Sequence, residues 1–263
     1  MPDTMPYEYD RYRLANWLVV PAARVYSATM LSRLVAVTFD AHAPTRLATF
    51  WAGMLGRQVV EHAGALFLPG DDTQLGLEFV ASDTEKEGPN RVHLHLTSDS
   101  PADQQHRVAT ALELGASHLD VGQRPEEGHI VLADPEGNEF CVTEPGNNFL
   151  AGCGLLGELA CDGTRAVGLF WSETLGWPLV WDQDQETAVQ SPAGGTKVAW
   201  GGPPVAPKKA RNRQRFHLVP VAGDRQAEVD RLVALGATRL EPGADGTVEL
   251  ADPDGNEFSV QES

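Results

Sequence analysis

The residues best suited to chemistry in this chain lie on short alternating stretches. In Val92-His93-Leu94-His95-Leu96 the two imidazoles share one face and the aliphatic side chains take the other. Arg215-Phe216-His217-Leu218 again sets a histidine opposite apolar neighbours. Such a histidine can ligate a metal or carry a proton, or it can be a structural residue hydrogen-bonded at a cleft wall. The i, i+2 pair His93 and His95 could itself hold a metal or exchange protons. Along Gln74 to Val80, Leu75, Leu77 and Phe79 share one face and leave Glu78 on the other, as a ligand or as an exposed carboxylate. Trp181 and Trp200 are flat side chains suited to the wall of a planar-ligand pocket, whereas Trp51 and Trp171 fall at helical core spacing. The run Lys208-Lys209-Ala210-Arg211-Asn212-Arg213-Gln214-Arg215 is either a solvated loop or an attractor for an anion. No phosphate-binding glycine loop, dinucleotide fingerprint or Ser/His/Asp order is present.

The elements that must hold these residues are written twice. Asp134-Pro135-Glu136-Gly137-Asn138-Glu139-Phe140 recurs as Asp252-Pro253-Asp254-Gly255-Asn256-Glu257-Phe258, each between short apolar runs. The pattern predicts strand, tight turn, strand, with Pro presetting φ and Gly-Asn tolerating positive φ. Phe50-Trp51 with Leu55-Gly56 recurs as Phe170-Trp171 with Leu175-Gly176. Arg91-Val92-His93-Leu94 has its counterpart in Arg215-Phe216-His217-Leu218. A strand over 34–40, a helix after Pro44 stopped by Gly56, and three short strands give one β-α-β-β-β unit. The strand at Val92, a helix from Pro101 to Leu114 and the strands up to the first turn give a second. The second half retraces both, so the repeat is a duplicated domain rather than a solenoid.

Composition narrows the function classes. The 263 residues carry 20 Lys and Arg against 37 Asp and Glu, a formal charge of -17, which argues against nucleic acid or an anionic membrane as partner. The hydrophobic share of 42% suits a globular core, and no apolar run is long enough to span a bilayer. Three cysteines (Cys141, Cys153, Cys161) with no CxxC pair favour free thiols in a reducing cytoplasm.

With the Phe-Trp and Asp-Pro-x-Gly-Asn-Glu-Phe signals in order and duplicated, the chain from about Leu34 onward resembles the vicinal oxygen chelate superfamily, the glyoxalase, bleomycin-resistance and extradiol-dioxygenase group. The resemblance implies an α+β fold of two tandem glyoxalase-like domains, residues 34–146 and 155–263, after an N-terminal extension of residues 1–33. Each domain would comprise two β-α-β-β-β units forming a cupped mixed sheet with outer helices and an inner cleft. It further implies metal-ligand positions at Ala36, Glu78, His93 and Cys141 in the first domain and at Leu156, Ala199 or a neighbour, His217 and Ser259 in the second. Ala36 and Leu156 have no ligating atom, and Cys141 and Ser259 stand where metal-dependent relatives carry glutamate. The expected site is a divalent metal (Zn, Ni, Mn or Fe) in the first-domain cleft, held by His93, Glu78 and either Glu139 or Cys141, with His217 as the candidate ligand that remains in the second domain. Glu78, His93 and Glu139 would take catalytic roles, and Trp181, Trp200 and His95 would line the ligand pocket. Glu139 recurs within the turn as Glu257, which equally suits bonding of backbone amides. Two functions follow. One is metal-assisted lyase, isomerase or dioxygenase chemistry on a small organic molecule. The other is metal-free binding or sequestration of the bleomycin-resistance type. Either fits a cytoplasmic monomer with pseudo-twofold domains or a homodimer.

Overall fold

The computed structural model describes residues 31–241, 243 and 247–262, except residues 63, 125 and 223. The expected N-terminal extension lies outside them apart from its last three residues. Four β-α-β-β-β units follow one another. Unit 1 holds β1 (Ser32–Ala41), α1 (Pro44–Leu55), β2 (Val60–His62), β3 (Ala65–Leu68) and β4 (Gly76–Ala81). Unit 2 holds β5 (Val92–Leu96), α2 (Pro101–Glu113), β6 (Ser117–His118), β7 (Ile130–Ala133) and β8 (Glu139–Val142). Unit 3 holds β9 (Leu156–Cys161), α3 (Arg165–Leu175), β10 (Leu179–Gln183), β11 (Glu186–Gln190) and β12 (Lys197–Trp200). Unit 4 holds β13 (Gln214–Pro220), α4 (Arg225–Leu235), β14 (Thr238–Arg239), β15 (Val248–Ala251) and β16 (Glu257–Val260).

Local chemistry fixes the helix ends. Pro44 opens α1, where its missing N–H costs nothing, and Gly56 closes it in the left-handed region at φ 65°. Ser100 caps α2 by accepting from the Asp103 amide, and Asp224 caps α4 by accepting from the Ala227 amide. Among the described residues no helix is long and apolar enough to cross a membrane.

The units are those the sequence predicts, and their partnering crosses the two halves. One 8-stranded sheet runs β14-β15-β16-β13-β1-β4-β3-β2, and the other runs β10-β11-β12-β9-β5-β8-β7-β6. Units 1 and 4 thus build an outer sheet and units 2 and 3 an inner one. The seams are antiparallel, β1 on β13 and β5 on β9. Val37, Phe39, Leu77, Phe79, Leu94, Phe140, Leu159, Phe216, Leu218 and Phe258 belong to the apolar core, leaving the alternate side chains of each strand on the opposite face.

The duplicated turn ties the two units of each half together, so it links one sheet to the other. Asp134 accepts from the Glu136 and Asn138 amides and, at 3.2 Å, from the Trp51 indole N–H of unit 1. Asp252 repeats this with Asp254, Asn256 and Trp171, the last at 3.3 Å. Glu136 takes the His42 and Ala43 amides just before α1, and Asp254 takes the Thr164 amide before α3. Every polar side chain of the turn is therefore engaged in architecture. Burial pushes the Asp134 carboxyl up to about 6 despite these donors.

Candidate functional site

The face turned away from the core carries one polar row in each sheet. In the inner sheet, strand register aligns Cys141 (β8), His95 (β5), Glu158 (β9) and Lys197 (β12). In the outer sheet it aligns Ser259 (β16), His217 (β13), Ala36 (β1) and Gly76 (β4). One step along, Thr38 is level with Glu78, as Ala160 is with Ala199.

Each row contains a histidine hydrogen-bonded to a carboxylate, but the carboxylate comes from different strands. His95 Nδ1 lies 2.9 Å from Glu158 Oε2, with the residues 4% and 0% exposed. Burial opposes charge on His95, yet Cys141 and Glu158 on its flanks outweigh it, and the imidazole pKa lies well above the usual histidine range. In the outer sheet His217 Nδ1 lies 3.2 Å from Glu78 Oε2, which also accepts from the Thr38 hydroxyl at 2.6 Å. Burial alone would raise the Glu78 pKa, but His217, Thr38 and Arg215 hold it below the ordinary value. His217 Nε2 is buried and has no hydrogen-bond partner among the described residues.

These positions redraw the expected site. Glu78 and His93 belong to different sheets: Glu78 bonds His217 in the outer one, and His93 neighbours His95 in the inner one. The counterpart of His217 is His95 rather than His93. Asn90 and Asn212 bond Asn138 and Asn256 in the same way, and Lys86 and Lys208 bond Glu139 and Glu257, which places the two strands in register with His95 at the His217 position. Leu156 is likewise displaced. A bulge between Leu156 and Glu158 turns Leu156 into the core and sets Glu158 on the polar face, as the irregularity between Leu34 and Ala36 does in β1. Glu158 was the residue that sequence reasoning missed.

His93 is buried, and desolvation lowers its pKa to about 4 although Glu139 pulls upward. Glu139 accepts from Lys86 at 2.6 Å and from the Asn90 amide at 3.2 Å, holding the segment that leads into β5. Cys141 is buried beside His95. Trp200 packs in the core rather than on a cleft wall, because the parity of β12 puts Val198 and Trp200 together and Lys197 opposite. Trp181 is half-buried, with the Phe149 ring edge-on at 6.3 Å.

The donor set does not fit the divalent metal that the resemblance implies. Ala36, Gly76 and Ser259 leave the outer row with His217 and Glu78, each already using an atom on the other. In the inner row Glu158 is turned onto His95, and Cys141, His95 and Glu158 do not converge as a ligand set among the described residues. Among the described residues no group of three or more His, Cys, Asp or Glu side chains is arranged to hold a metal ion.

A family model described as a glyoxalase-like domain matches residues 36–143 and again 158–261. Among solved structures, glyoxalase I from Zea mays shares the fold at a TM-score of 0.61 and 14% identity, over 88% of this chain and 92% of that one. A putative dioxygenase from Bacillus subtilis subsp. subtilis str. 168 does so at 0.54 and 14%, over 89% and 86%. Likeness at this identity is likeness of fold. No curated protein matches the sequence.

Proposed function

We propose that this chain, which belongs to the glyoxalase-like domain family, binds a small organic molecule without a metal, on the polar face of its inner sheet. The observation that carries this reading is the Cys141–His95–Glu158–Lys197 row, four functional side chains on adjacent strands, with the half-buried Trp181 ring beside it. A floor of a few fixed polar groups beside flat apolar walls is what orients a planar ligand. The equivalent outer row offers Ala36 and Gly76 where the inner row offers Glu158 and Lys197, so the two faces are unequal. The buried thiols Cys141, Cys153 and Cys161 suit a reducing, cytoplasmic setting.

A second reading adds chemistry to binding. The His95–Glu158 pair can hydrogen-bond a ligand oxygen and stabilise negative charge developing there, a contribution that isomerase and lyase chemistry uses. Titration of Trp fluorescence and melting temperature against planar compounds tests the binding reading. A hit should lose its effect in His95→Ala and keep it in His217→Ala. Equal loss in both variants, or no hit across a broad library, would sink the inner-face assignment. Elemental analysis of protein purified without a chelating column addresses the metal, and a stoichiometric divalent ion would overturn the metal-free reading.

A further inference from the structure

Lys197 is 5% exposed, yet no carboxylate lies within ion-pair distance of it among the described residues. Glu158, its neighbour in the row, is bonded to His95. The Lys197 ammonium instead donates to the backbone carbonyl of Phe149 and sits over the Phe149 ring, 4.3 Å from its centroid. That ring in turn meets Trp181 edge-on. Phe149 belongs to the connection between β8 and β9, which is anchored over the end of the inner sheet by bonds from Thr97 to Leu155 and Gly154. A buried ammonium facing an aromatic ring and a carbonyl oxygen is costly to desolvate unless a stronger acceptor arrives. Consistently, burial lowers the Lys197 pKa, while Cys153 and Glu158 act against that. The outer sheet has Gly76 at this position, so the feature is not demanded by the fold.

We propose that Lys197 makes the inner site selective for a planar aromatic ligand bearing a carboxylate, and that Phe149 occupies the ligand's place, its ring standing for the aromatic ring and its carbonyl oxygen for a carboxylate oxygen. This inference rests on the inner face being the ligand site. A carboxylate would give Lys197 a charge-assisted bond in place of a neutral one, and the ligand's ring would stack against Trp181 where the Phe149 ring now lies. The overall charge of -17 would repel an anion at long range, so recognition depends on this local cation.

The test is calorimetric titration of the full chain with 2-naphthoate and with 2-naphthamide, which match in shape and differ in charge. The acid should bind wild type about tenfold more tightly than the amide, the difference between a charged and a neutral hydrogen bond. Lys197→Met should abolish that preference, Lys197→Arg should retain part of it, and Phe149→Ala should tighten acid binding severalfold. Equal affinity of acid and amide for wild type would overturn the role of Lys197 while leaving the planar-ligand reading intact. Survival of the preference in Lys197→Met would overturn that role as well. Failure of both compounds to bind wild type and Phe149→Ala would count against both readings together. The wild-type comparison stands even if a substitution at position 197 fails to fold.

Discussion

Replacing Glu158 by Gln isolates the charge in the His95–Glu158 pair while keeping its shape. The bond is 2.9 Å long and both side chains are almost wholly buried, so solvent screens it little. A hydrogen bond between charged partners contributes about 1.5–3 kcal/mol and a neutral one about 1 kcal/mol, so the substitution should cost roughly 1–2 kcal/mol where His95 is protonated. At about 2–4 °C per kcal/mol for a chain of this size, the melting temperature should fall by about 2–8 °C at pH 6. The pH dependence carries the sign. The folded-state pKa of His95 is raised, so the stabilisation is fully present below the unfolded value near 6.5 and is lost as pH rises through the folded value. The gap between wild type and Glu158→Gln should therefore be widest below the unfolded value near 6.5 and narrow as pH rises through the raised folded value. Thermal melts across that range, with imidazole nitrogen shifts from NMR, measure both. A gap independent of pH, or a neutral His95 in the wild type at pH 6, would refute the charge assignment.

Three further outcomes follow from the geometry. Arg215 grips Asp40 through two bonds of 2.6 and 2.7 Å with both side chains buried, joining unit 4 to unit 1; Asp40→Asn should cost about 3–5 kcal/mol, read as a lower urea midpoint, because the guanidinium stays buried without its counter-charge. A Cβ on Gly168 of α3 would stand 1.9 Å from Thr187 Oγ1 and 2.6 Å from Thr187 Cβ, so Gly168→Ala should destabilise by about 1–3 kcal/mol, and adding Thr187→Ala should recover part of it in a double-mutant cycle. Addition of Zn, Ni, Mn or Fe(II) should leave the melting temperature unchanged; a rise that disappears in His95→Ala would show that the row does bind metal.

The duplicated turn was legible because its residues are held by local rules. Asp, Gly and Asn are fixed by their own backbone bonds, and the Trp signal recurs with it because Trp51 and Trp171 donate to Asp134 and Asp252. The partnering of units was not legible, since alternation within β1 is equally compatible with β5 or β13 as neighbour. The misplaced histidine has a plainer cause. Residues 93 and 95 share parity, so alternation cannot choose between them. The signal that could have chosen was in the sequence: Lys86-x-x-x-Asn90-Arg91-x-x-x-His95-Leu96 recurs as Lys208-x-x-x-Asn212-Arg213-x-x-x-His217-Leu218. Glu158 was hidden by the bulge, which breaks the two-residue period on which face assignment depends.

The crossing of sheets between halves also sets an order of birth. Asp40 leaves the ribosome 175 residues before Arg215. At about 5–20 residues per second, β1 therefore waits roughly 10–35 seconds for the strand that covers its edge. The inner sheet needs nothing beyond Trp200 and can close while unit 4 is still being made. Throughout that interval unit 1 presents the seam edge of β1 unpaired, the kind of template that recruits strands from other chains. A message truncated after residue 200 would fix the protein in this state, with its proposed ligand face assembled and its first strand open to any passing copy.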